Sequence, residues 1–91
     1  MKLLEIVWPQ EIAEKVERKH GLSVIEVEEA CADPCCHLRK AWQGRYRLLG
    51  RSQAGRYILI VFEHAGRGTI RIITARAMDE RERDLYWRHA Q

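Results

Sequence analysis

The segment Arg56-Tyr57-Ile58-Leu59-Ile60-Val61-Phe62-Glu63 constrains the fold more than any other. It is apolar at successive positions, rich in β-branched and aromatic residues, and too short for a typical helix. A strand of this kind has to be covered on both faces, so it is expected at the centre of a sheet. Its flanks agree. Ser52 to Gly55 precede it as a turn, and His64-Ala65-Gly66-Arg67-Gly68 follow it as a glycine-containing hairpin loop.

The neighbours of that strand follow from these short connections, which join only antiparallel partners. Tyr46 to Arg51 is expected on one side and Thr69-Ile70-Arg71-Ile72-Ile73-Thr74-Ala75-Arg76 on the other. Cys36 to Lys40 is ambiguous. An opening strand is expected over Leu3 to Trp8. By the period of two, Arg71 and Arg76 fall on opposite faces of their strand unless a bulge intervenes.

Three helices are expected around the strands. Ile12, Ala13 and Val16 have helical spacing after Pro9, and Gly21 is a natural stop. Ser23 and Glu26 form a capping box, with Val27, Ala30 and Cys31 carrying the apolar face up to Asp33-Pro34. Asp79 and Glu82 repeat that pattern before Leu85, Tyr86 and His89. The expected fold class is therefore α+β in two layers: an antiparallel meander sheet with two N-terminal helices and one C-terminal helix. At 91 residues the chain has room for one thin core, so residues 1–91 are expected to form a single domain.

The first residues carry a charge at Glu5 and run into Trp8-Pro9, so neither a signal peptide nor a membrane span is expected, and the cytoplasm is the default compartment. Cys31, Cys35 and Cys36 make an odd set with two adjacent members, unsuited to a disulfide framework. With His37 they supply soft ligands, but adjacent cysteines seldom both reach one tetrahedral ion. Free thiols are expected, with no metal and no cofactor.

No phosphate loop or dinucleotide fingerprint is present. The net charge is only +3, but arginines recur from Arg39 to Arg88 while acids concentrate before residue 34 and after residue 78. That asymmetry favours a polyanionic partner: RNA, DNA or an acidic protein. Lys19 and His20 end the first helix, where the helix dipole favours positive charge and a histidine titrates near neutrality. Arg76 ends a strand just before a capped helix. RNA cleavage needs only a base or positioner for the 2′-hydroxyl, positive charge for the phosphorane and an acid for the leaving oxygen, with no metal required. The same groups, with Trp42, Tyr46 or Tyr57 stacking on bases, also describe a non-catalytic nucleic-acid-binding module. A basic protein-interaction domain is the third reading.

The order of features resembles the BrnT-like toxins, the ribonuclease component of bacterial type II toxin–antitoxin pairs. The resemblance rests on Val7-Trp8, Lys19-His20-Gly21-Leu22-Ser23, Ala32-Asp33-Pro34, Gly44-Arg45-Tyr46-Arg47-Leu48-Leu49-Gly50-Arg51, Ile58 to Phe62, and Ile70 to Ala77 with Glu82-Arg83 and Tyr86. It implies a compact relative of the RelE-type ribonuclease fold and metal-independent endoribonuclease activity that inhibits translation. It also implies a cognate antitoxin, through whose complex operator DNA would be bound. Carried onto this chain, it implies that Arg51 and Arg76 hold the scissile phosphate and that Glu82 or His20 exchanges protons. Lys19, Arg45, Arg83 and Tyr86 would then position the RNA.

Overall fold

The computed structural model describes residues 5–90. The elements run β1 (Glu5–Val7), α1 (Gln10–His20), α2 (Val24–Cys31), β2 (His37–Lys40), β3 (Arg45–Arg51), β4 (Tyr57–His64), β5 (Thr69–Ala77) and α3 (Glu80–His89). They form one five-stranded sheet in the order β1-β5-β4-β3-β2. The apolar segment is its central strand, as its composition requires. β2 to β5 make the antiparallel meander, and the ambiguous stretch around Cys36 to Lys40 is its outer member.

The layout departs from a pure meander at one edge. β1 pairs with β5 in parallel, through Glu5↔Thr69, Ile6↔Ile70 and Val7↔Arg71. Two helices intervene between β1 and the meander, long enough to return the chain to start a parallel partner. Of the opening strand expected from Leu3, residues 3 and 4 lie outside the described residues.

Helix ends follow the local sequence. Gly21 takes the left-handed conformation (φ 64°) that stops α1, and its N–H donates to Glu17 O. Ser23 and Glu26 form a reciprocal capping box at α2, and Asp79 and Glu82 form one at α3. Each box satisfies N–H groups that a helix start leaves unpaired.

The two faces of the sheet hold separate apolar clusters. On the first face, Leu48, Ile58, Ile60, Phe62, Ile70, Ile72 and Ala75 pack against Val16 of α1, Leu22, and Val27, Ala30 and Cys31 of α2. Gly50 allows the closest approach: a Cβ there would stand 2.2 Å from Ala30 O. On the second face a smaller cluster joins Leu49, Leu59 and Met78 to Tyr86 of α3, with Tyr57, Leu85 and Ala90 around it. α1 and α2 thus lie on one side of the sheet and α3 on the other.

In β5 a bulge does intervene, the stated exception to the period of two. Val61 pairs with Thr74 and Phe62 with Ile72, so Ile73 is an extra residue. Ile72 and Ala75 therefore both point into the first cluster, three residues apart. Arg71 and Arg76 consequently share the second face, as partners of Glu63 and Leu59. Cys31 is buried, Cys35 exposed, Cys36 half-buried, and all three are unpaired thiols. Burial pushes the Cys31 thiol up to about 12, so it is not ionised at neutral pH.

Candidate active site

The second face of the sheet is where the polar residues gather. Its strand positions form rows: His37-Leu49-Leu59-Arg76, then Arg39-Arg47-Val61-Thr74, then Arg45-Glu63-Arg71. α3 lies over the first row, with Glu82 in contact with Arg76 at one end and His89 stacked on His37 at the other. The apolar contacts of α3 on this face are with that row and, beyond its Arg51 side, with Tyr57.

Arg76 and Glu82 form the best-defined polar unit. Arg76 Nη1 donates to Glu82 Oε1 at 2.8 Å and Nη2 to Oε2 at 2.9 Å, a parallel fork of charge-assisted bonds. Nη1 also donates to Ala77 O at 3.0 Å. Glu82 Oε1 in turn accepts the Asp79 backbone N–H at 2.8 Å, completing the capping box. One carboxylate therefore starts a helix and orients a guanidinium. Its own side chain is 13% exposed, against 41% for Arg76, so the carboxylate is the sheltered member of the pair.

Glu82 also lines a small concavity between α3 and the sheet, together with His37, Arg39, Arg47, Leu49, Leu59 and Leu85. Arg39 and Arg47 face each other directly across β2 and β3. The ion pairs among the described residues are Arg56–Glu26, Arg71–Glu63 and Arg76–Glu82, so Arg39 and Arg47 take part in none. The His37 ring stacks on His89, with centroids 4.0 Å apart and planes 7° apart. Burial, then His89, then Arg39 hold the His37 pKa below its ordinary value, and its Nε2 is buried without a hydrogen-bond partner.

On the other flank of α3, Arg51 lies over Tyr57 and Trp87, at 5.9 and 5.6 Å from their ring centroids. Tyr86 donates its hydroxyl to Asp33 Oδ2, which also accepts the Arg51 N–H at 2.9 Å, while Oδ1 accepts the Cys35 N–H at 2.9 Å. Asp33 thereby ties the end of α2, the end of β3 and α3 together. Burial and the bond to Asp33 push the Tyr86 pKa up, so it remains a hydrogen-bond donor well into the alkaline range. An open groove runs past these residues, lined by Asp33, Arg51, Gln53, Tyr86 and Trp87.

The expected site residues are only partly brought together. Arg76 and Glu82 touch, and Arg51 and Arg45 lie on the same face of the sheet. Arg83 is exposed on α3, whereas Tyr86 is buried beneath it. Lys19 and His20 end α1, on the opposite side of the sheet from Arg76 and Glu82. Sequence reasoning gave no site role to Arg39, Arg47 or Asp33, and it treated His37 only as a metal ligand. The alternation of His37 and Arg39 against Leu38 would have placed Arg39 on the face of His37, had β2 been assigned as a strand.

Comparison with known proteins adds the family. The model of the family described as the ribonuclease toxin BrnT of type II toxin–antitoxin systems matches residues 8–82. No curated protein matches the sequence. Among solved structures, the chain is similar to the Brucella abortus ribonuclease toxin BrnT, with a TM-score of 0.70 at 18% identity over 85% of this chain and 99% of that one. At that identity the likeness speaks for the fold. The extent of the family match, over α1, α2, β2 to β5, both capping boxes and the Arg76–Glu82 fork, settles the assignment: the chain belongs to the BrnT family of ribonuclease toxins of type II toxin–antitoxin systems.

Proposed function

We propose that the protein is a metal-independent endoribonuclease that inhibits translation by cutting RNA and is neutralised by a cognate antitoxin, a fold relative of the RelE-type ribonucleases. The observation that carries this reading is the Arg76–Glu82 fork at a concavity that also receives Arg39 and Arg47. A sheltered carboxylate beside guanidiniums supplies two of the groups that transesterification of RNA uses, a base and positive charge. Glu82 takes the proton of the 2′-hydroxyl, and the 2′-oxygen attacks phosphorus. The bond to the 5′-oxygen breaks as that oxygen takes a proton from water, leaving a 2′,3′-cyclic phosphate and a 5′-hydroxyl, and Glu82 returns its proton to solvent. Arg76, already oriented, stabilises the charge that grows on the phosphorane, with Arg51 acting on the neighbouring backbone.

His20, Lys19, Arg83 and Tyr86 enter this reading differently. Tyr86 acts by holding Asp33 and α3 in place rather than by touching RNA. Arg83 extends the basic surface along α3, and Lys19 and His20 meet only a strand that continues round the end of the sheet. The protein acts in the cytoplasm on RNA, and it reaches operator DNA only in complex with its antitoxin.

Cleavage of a labelled single-stranded RNA in excess EDTA tests the reading, beside Arg76→Ala and His20→Ala proteins shown to be folded. Cleavage that survives EDTA and falls at least 100-fold with Arg76→Ala is expected, a loss of the order of ~10²–10³ for a removed charge-stabilising donor. RNA that is bound but never cut would replace the nuclease with a nucleic-acid-binding module.

A further inference from the structure

Arg39 and Arg47 are not explained by the fold. Like charges directly opposed across two strands destabilise a sheet, because their Cβ atoms stand only about 4.5–5.5 Å apart. This pair keeps that arrangement with no carboxylate bound to either member among the described residues. The nearest acid on the same face beyond Arg47 is Glu63, in the next row, and it is bonded to Arg71 at 3.1 Å. On the other side, the Glu82 carboxylate is occupied by Arg76 and the Asp79 N–H. Arg45 lies two residues before Arg47 on the same face of β3, about 7 Å away by the rise of a strand. Three guanidiniums thus line one part of the second face, and two of them, Arg39 and Arg47, share the concavity of Glu82 and Leu85.

We propose that Arg39 and Arg47 form a phosphate subsite that holds the phosphodiester next to the one cut, with Arg45 receiving the following phosphate of a single RNA strand. This deepens the ribonuclease reading and rests on it for the identity of the ligand. The chemistry recognised is a tetrahedral oxyanion, to which two adjacent guanidinium forks can donate together. An anion placed there removes the repulsion between the two arginines. Anion binding at the pair therefore raises the stability of the fold.

The test uses a non-cleavable 2′-O-methyl oligoribonucleotide, so that binding is read without turnover. Its affinity for wild type and for the Arg39→Gln/Arg47→Gln double variant is measured across a series of KCl concentrations. Loss of two phosphate contacts is expected to weaken binding roughly 10-fold or more per arginine. It should also flatten the slope of log K against log salt by about 1.4, at about 0.7 per contact for single strands. In a second arm, inorganic phosphate at constant ionic strength raises the melting temperature of wild type and not of the double variant. In phosphate-free, low-salt buffer the double variant melts no lower than wild type, since a repulsion has been removed.

An unchanged slope and affinity in the double variant would overturn the subsite, and continued RNA cleavage by wild type would then leave the nuclease intact. A wild type that binds through the pair but never cuts would do the reverse. A double variant that keeps oligonucleotide binding but loses the purified antitoxin would overturn the proposal in favour of an acidic protein contact.

Discussion

Replacing Glu82 by glutamine separates its two jobs, because the amide keeps an acceptor oxygen but cannot take a proton. The Asp79 N–H, now bonded to Oε1 at 2.8 Å, retains its partner. The fork to Arg76 falls from two bonds between opposite charges to one bond from the guanidinium to a neutral oxygen, and the amide nitrogen, itself a donor, faces Nη2. Since the Arg76 side chain is 41% exposed, solvent already screens the pair, and the loss is worth about 1 kcal/mol. That corresponds to a fall in melting temperature of about 4–8 °C for a chain of this size. Even from a starting stability near the lower end of ~5–15 kcal/mol, well under ~1% of the molecules would be unfolded. A purely structural Glu82 therefore predicts nearly full activity in Glu82→Gln. A proton-transferring Glu82 predicts a loss of ~10²–10⁴-fold. Glu82→Ala removes the cap as well and should cost about 2 kcal/mol. Urea unfolding followed by circular dichroism gives the stabilities, and single-turnover cleavage of a labelled RNA in EDTA gives the rates. Cleavage by Glu82→Gln within about threefold of wild type would refute the catalytic assignment.

Other substitutions test the scaffold around that site. Gly50→Ala would drive a methyl group to 2.2 Å from Ala30 O, against backbone that cannot swing aside, so α2 must retreat. A cost of about 3 kcal/mol is expected by urea midpoint, and a change below ~0.5 kcal/mol would mean that α2 is not seated on β3 as described. Tyr86→Phe removes a hydroxyl donated to a carboxylate and should cost about 2 kcal/mol, read as a lower melting temperature that Asp33→Asn combined with it does not lower by a further equal step. His37 has its pKa lowered by folding, so the unfolded chain binds the proton more readily. Stability should therefore be complete above the ordinary histidine value near 6.5 and decline as pH falls through and below it. In His37→Gln that decline should be shallower between pH 7 and pH 5 than in wild type.

What could be read from the sequence was local, and what could not was decided across the sheet. Ser23 and Glu26, or Asp79 and Glu82, lie three residues apart, and each pair carries its own cap wherever the helix goes. The central strand declares itself through its apolar run. β2 does not, because His37 to Lys40 carries one apolar residue among polar ones and is held as a strand only by its register with β3. The bulge at Ile73 is likewise invisible among three similar residues, yet it turns Arg76 towards α3 and creates the fork with Glu82. Asp33 reads as a helix stop before Pro34, while its carboxylate serves Cys35, Arg51 and Tyr86, partners 2, 18 and 53 residues away.

His20 shows the same division most sharply, and its position makes a distinct prediction. The family resemblance groups it with Arg76 and Glu82, but the sheet stands between them. The end of α1 is nevertheless anchored beside the β3–β4 turn: Arg56 Nη1 donates to Gly21 O at 2.9 Å and reaches Glu26 at 3.1 Å. That turn begins immediately after Arg51, the last residue of β3. A strand of RNA lying along Arg45, Arg47 and Arg51 and continuing past the sheet's end would meet Lys19 and His20 at that corner. Such a contact lies beyond the reacting phosphate, so His20→Ala should raise KM or weaken binding while leaving the single-turnover rate at saturating RNA within a few-fold of wild type. A collapse of that rate comparable to Glu82→Gln would mean that His20 acts on the reacting atoms, and that the substrate, not the second face alone, closes the site around the end of the sheet.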